Sequence, residues 1–132
     1  KLELATRIFT PAYVSFETIL AQEGLIFQFH TRISVASYLT RDIEVDGQGY
    51  SFRKVKMSIL THPLGIENRD ESSFASRERA FLDMVYLHGD THVDNPNDLN
   101  WDKIFDMLPI YRNQSMERRV RRAYKDQQEN KS

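Results

Sequence analysis

His88-Gly89-Asp90-Thr91-His92-Val93-Asp94 places imidazoles and carboxylates on alternate positions. All four side chains are ligands for first-row metal ions. In an extended strand alternate side chains share a face, so His88, Asp90, His92 and Asp94 would converge there. Such a set implies a small metal-dependent nuclease or phosphotransfer domain. The plainer alternative is a solvated acidic loop between two helices. Asp94-Asn95-Pro96-Asn97-Asp98 hints at a calcium loop, but it lacks the central Gly and the bidentate Glu of an EF-hand. Glu44, Asp46 and Lys54 or Lys56 offer paired carboxylates and an amine across a hairpin, although solubility alone explains that alternation. With no Cys there is no thiol nucleophile, and no Ser stands in a Gly-x-Ser-x-Gly elbow. Gly47-Gln48-Gly49 is too short to cradle a phosphate. These patterns assign no catalytic residue, no metal site and no cofactor.

The second chemical feature is cationic. Residues 116–132 hold six basic and three acidic side chains, whereas residues 88–106 hold one and five. The formal net charge of −1 hides this asymmetry. Arg118, Arg119, Arg121, Arg122 and Lys125 project over a wide arc of one helix and form a candidate nucleic-acid interface. Each phosphate such a helix neutralises releases counterions. Tyr111 and Tyr124 offer stacking. The competing reading is a solvated face whose Arg stems cover apolar surface.

The elements that must position these residues read as follows. A short helix runs from Phe16 through Ala21, with Ser15 as N-cap, Glu17 near its positive end and Gly24 at the C′ position. Thr31 to Thr40 is rich in β-branched and aromatic residues. Asp42 to Asp46 alternates charged and apolar, which predicts a half-exposed strand. Gly47-Gln48-Gly49 predicts a turn, and Tyr50-Ser51-Phe52-Arg53 restarts the alternation toward Val55 or Ile59. The region from about 31 to 60 thus predicts an antiparallel meander or hairpin. Asn68 to Ser73 reads as a polar loop. Ser76 caps a second helix with apolar positions Ala80, Phe81, Met84, Val85 and Leu87. A third helix runs from Trp101 to Leu108, capped by Asp98 or Asn100 and stopped by Pro109. The last spans about 115–128, with Met116, Val120, Ala123 and Tyr124 as its apolar stripe and a frayed end from Gln127. The fold class expected is α+β: a small mixed or antiparallel sheet packed with about four helices.

A chain of 132 residues is one domain at ~100–200 residues per domain. Hydrophobic residues make up 40% and aromatic residues 11%, enough apolar area to exclude a disordered chain. Zero Cys excludes disulfides and fits a reducing cytoplasm. There is no run of 18 apolar residues, so no membrane partner is expected. Lys1-Leu2-Glu3-Leu4 lacks the apolar core of a signal peptide, and the missing initiator Met suggests processing or a longer parent. A pure interaction module, using Phe27, Phe29 and Tyr38 near strand edges, is a third functional class.

Two segments carry a family resemblance. Tyr13-Val14-Ser15-Phe16-Glu17-Thr18-Ile19-Leu20, followed by Gly24-Leu25-Ile26, resembles the Tyr-(Ile/Val)-Ser-Leu-Glu-(Ser/Thr)-Ala-Leu…Gly-Leu-Ile segment of AbiEi-type antitoxins. Ala75-Ser76-Arg77-Glu78-Arg79-Ala80-Phe81-Leu82-Asp83 resembles their Ala-x-Pro-Glu-(Arg/Lys)-Ala-Leu-Leu-Asp segment. Gly49-Tyr50-Ser51-Phe52-Arg53 and Val55-Lys56 fit between them in order and spacing, so the resemblance covers about residues 5–90. Arg77 stands where the family has Pro, and Phe16, Ile19 and Phe81 replace smaller or branched residues. The family's N-terminal winged helix-turn-helix has no room before Tyr13. The resemblance implies the C-terminal domain of a bacterial antitoxin and transcriptional regulator from type IV toxin–antitoxin and phage-defence systems. That implies a non-enzymatic role: antitoxicity toward a nucleotidyltransferase-like toxin without required stable binding, and help in DNA binding through positive surface. The matched residues read as structural: Ser15 and Ser76 cap, Leu20, Leu25, Ala80 and Leu82 pack, and Glu17, Glu78 and Arg79 pair or face solvent.

Overall fold

Ile33-Ser34-Val35-Ala36-Ser37 carries no charge and only small polar side chains on its two alternating faces, which suits a strand covered from both sides. A computed structural model, describing residues 2–27, 31–70 and 72–131, places it at the interior of a six-stranded mixed sheet. The strands are β1 (Tyr13–Val14), β2 (Ile33–Ser37), β3 (Arg41–Val45), β4 (Gln48–Lys54), β5 (Ile66–Arg69) and β6 (Ser72–Ala75). The helices are α1 (Leu2–Ala5), α2 (Phe16–Gln22), α3 (Met57–Leu60), α4 (Arg77–His88), α5 (Trp101–Met107) and α6 (Gln114–Lys131). The α+β expectation holds, with the two four-residue helices α1 and α3 added to the four expected ones.

The strand order is β3-β4-β2-β1-β6-β5. Of the antiparallel meander or hairpin expected for residues 31–60, the hairpin is present and the meander is not. β3 and β4 form an antiparallel hairpin, but β2 pairs with β4 in parallel. The reason lies in the side chains: all five β2 positions are buried, whereas Arg41, Asp42 and Glu44 keep β3 at the sheet edge. The hairpin turn is Asp46-Gly47, both at positive φ (51° and 80°), and Gln48 and Gly49 already belong to β4. Two positive-φ residues are what a two-residue turn needs to match the strand twist. β4 stops at Lys54, and the chain coils into α3, which buries Ile59 and Leu60 together.

The expected polar loop at 68–73 is instead the tip of a second hairpin, β5 with β6. Its polar residues mislead because β5 is an exposed edge. β1, which the sequence reading missed, joins the halves: it pairs antiparallel with β2 and parallel with β6. α2 packs against α4, and α4 in turn against α5 and α6. Ser76 caps α4 as expected, its hydroxyl accepting from the Arg79 N–H at 3.2 Å. Ser15 occupies the N-cap position of α2 but does not cap with its side chain, because its hydroxyl is drawn to a buried carboxylate. Asn100 caps α5 by accepting from the Lys103 N–H. Pro109 does not end the third helix outright; the chain tightens into a 3₁₀ turn over Leu108–Tyr111, where a missing N–H is tolerated.

Candidate functional site

α6 begins where the Asn113 side chain accepts from the Met116 N–H at 3.0 Å. Met116, Val120 and Gln127 are buried, so one stripe of the helix is fixed against the body. Gln127 donates to Asn97 Oδ1 at 2.6 Å, which replaces the expected frayed end with an anchored one and carries the helix to Lys131. Anchoring that stripe fixes where the others face. Arg118, Arg119, Arg121, Arg122 and Lys125 are all exposed. At 3.6 residues per turn, Arg118, Arg121, Arg122 and Lys125 fall within about 100° of the circumference. Among the described residues no carboxylate pairs with those four. Arg119 lies at the margin of the arc, with Nε 3.7 Å from Asp90 Oδ1. Arg121 stacks over the Phe105 ring at 5.6 Å. The two tyrosines offered for base stacking are committed elsewhere: Tyr111 is buried, and Tyr124 packs between Trp101 and Phe105.

The His88–Asp94 stretch is not a strand. Gly89 ends α4 at φ 80°, and the following residues form an irregular loop, so alternation does not gather the four side chains. His88 Nε2 lies 3.2 Å from Arg53 Nη1, and Arg53 holds Glu17 in a bidentate pair at 2.7 and 3.0 Å. Asp90 turns to Arg119, while Asp94 accepts from the Phe27 N–H and contacts His92 Nε2. His88, Asp90, His92 and Asp94 line a cleft of about 270 Å³, but His88 is held by Arg53, Asp90 by Arg119, and His92 and Asp94 by each other. Among the described residues no three His, Asp or Glu side chains stand where one metal ion could be held. In the Asp94–Asp98 stretch, Asn97 Oδ1 is engaged by Gln127, Asp94 by the Phe27 N–H and His92, and Asn95 donates its Nδ2 to the Gly24 carbonyl, so these side chains serve the local chain path. Glu44 lies exposed on β3, Asp46 in the turn, and Lys54 and Lys56 point to solvent. Phe27 and Tyr38 are exposed as expected; Phe29 lies outside the described residues.

The densest polar constellation was invisible in sequence. Arg79 and Asp83, four apart on α4, are both completely buried. Of the two expectations for Arg79, pairing or facing solvent, the second fails. Its two Nη atoms donate to the carbonyls of Ile59, His62 and Leu64 at 2.6–2.9 Å and to the Tyr13 hydroxyl at 3.2 Å. Asp83 accepts from Tyr13 (2.9 Å) and Ser15 (2.7 Å) on one oxygen and from Tyr111 (2.6 Å) on the other. Burial pushes the Asp83 carboxyl up; Arg79 and the three hydroxyl donors pull it back. Removing either charge would leave the other buried and uncompensated, at a cost of about 3–5 kcal/mol. The only sequence signal was an Arg and an Asp at helical i,i+4 spacing inside an apolar helix. With no solvent access, the cluster binds three chain segments together rather than a ligand. No family model, no curated protein and no solved structure matches this chain.

Proposed function

We propose that the chain is a non-enzymatic regulatory domain of an AbiEi-like antitoxin that contacts DNA through α6. It would oppose a nucleotidyltransferase-like toxin without forming a stable complex with it. The observation that carries the DNA contact is the anchored α6: its apolar stripe is buried and its Arg118, Arg121, Arg122 and Lys125 arc is exposed without a paired carboxylate among the described residues. The family reading is supported by how the two resembling segments meet. Tyr13 and Ser15 of the first donate to Asp83 of the second.

The test is a fluorescence-anisotropy titration of the full chain against duplex DNA over a series of salt concentrations. Log affinity should fall linearly with log salt, by ~0.9 per phosphate neutralised. Replacing Arg118, Arg121, Arg122 and Lys125 with Ala should weaken binding to all duplexes alike and lower that slope by about 3.6. Ala preserves helix propensity, so α6 itself should persist. An unchanged slope in the quadruple variant would remove α6 as the interface. Growth rescue on co-expression with a nucleotidyltransferase-like toxin reads the antitoxin half, and failure to rescue would remove it.

A further inference from the structure

The sheet ends in two open strands, β3 and β5, and they are chemically opposite. The Ser76 N–H bonds the Gly65 carbonyl at 2.8 Å, which sets the phase of the β5–β6 ladder. Antiparallel ladders alternate hydrogen-bonded and non-bonded pairs, so Glu67 and Arg69 turn their backbone groups toward β6. Asn68 turns its N–H and C=O outward. In β3 the two-residue turn sets the phase in the same way, and Asp42 and Glu44 are the outward residues.

We propose that β5 is a homodimer seam, pairing antiparallel with β5 of a second copy about Asn68. In that register the two Asn68 residues exchange N–H and C=O bonds across a two-fold axis. Glu67 then lies opposite the second copy's Arg69, and Arg69 opposite its Glu67. Opposite charges directly across a ladder stabilise it. Glu67 and Arg69 are both exposed, and Arg69 is already held over the Phe74 ring at 4.9 Å with Nε 3.8 Å from Glu67. Pairing β3 with a second β3 sets carboxylate against carboxylate in each register that pairs Asp42 and Glu44, which repels a second copy. The second copy is therefore the occupant that β5 fits and β3 rejects. Because the contact is two-fold, it closes at two chains. A four-residue seam buries less than the ~1,200–2,000 Å² of a standard interface, so the association is of the weak, transient class.

Sedimentation equilibrium of the full chain, from micromolar to millimolar concentration at low salt, tests this. The mass should climb from 15.6 kDa toward twice that value and no further. Asn68→Pro should hold the mass at one chain while keeping the β5–β6 ladder, because the lost N–H faces away from β6 and the Ser73 hydroxyl that loses its Asn68 Oδ1 acceptor is exposed to water. Glu67→Arg should weaken association about tenfold by opposing like charges, and adding Arg69→Glu should restore it. A single-chain mass at every concentration, growth past two chains, or a dimer indifferent to all three variants would overturn the proposal.

Discussion

Tyr13 and Tyr111 are fixed as neutral donors by the carboxylate they share. Burial, and next the charge of Asp83, hold both phenols well above their ordinary value of 10.0. In the unfolded chain they ionise near that ordinary value. The folded state therefore binds more protons than the unfolded state above pH ~10, and stability falls as pH rises there. Below pH ~10 the contribution is fully present. The expected slope is about 1.4 kcal/mol per pH unit for each tyrosine. Urea titrations at a ladder of alkaline pH values should show it, and Tyr13→Phe or Tyr111→Phe should each remove one share of the slope while lowering stability at neutral pH. None of this was legible beforehand. Tyr13 meets Asp83 from 70 positions away, and no local pattern marks a distant hydroxyl as its partner. The α6 arginines were legible, because helical period alone decides which of them share an arc.

Elements were readable where one local rule decided them. Ser76 marked the start of α4, and charged–apolar alternation marked β3. β5 and β6 were not readable, since an edge strand exposed at Glu67, Asn68 and Arg69 has no apolar pattern to show. The turn into β5 carries its own demand. Gly65 sits at φ 80°, and a Cβ built on it would stand 2.5 Å from Met107 Sδ and 3.2 Å from Arg79 Cβ. Gly65→Ala therefore adds overpacking of about 1–3 kcal/mol to the cost of a left-handed backbone. Gly47 shares the φ of 80° but would meet nothing within 4 Å. Thermal unfolding of both variants should put Gly65→Ala several degrees below Gly47→Ala; equal midpoints would mean that Met107 moves aside freely.

At the scale of the whole molecule, the sheet is two hairpins, β3–β4 and β5–β6, bridged by β2 and the two-residue β1, with Val14 opposite both Val35 and Phe74. Which strands meet was the least legible property, because composition ranks strands by burial but does not say which neighbour each one takes. β3 could be read as half-exposed; the central place of β2 and the parallel β2–β4 and β1–β6 pairings could not. α4 and its buried arginine span this architecture, since Arg79 bonds carbonyls on either side of the α3 exit as well as Tyr13 on β1. A fully buried guanidinium gripped on both Nη atoms cannot spin about its Nε–Cζ bond or trade hydrogens with bulk water, whereas Arg53, also gripped on both, is part-exposed. In a proton–nitrogen magnetic resonance spectrum, Arg79 should thus stand apart from the seventeen other cationic side chains as slowly exchanging, individually resolved Nη–H signals. Under added urea those signals should fade together at the midpoint of global unfolding, giving the molecule a native, unlabelled gauge of whether its three segments are still closed on one another.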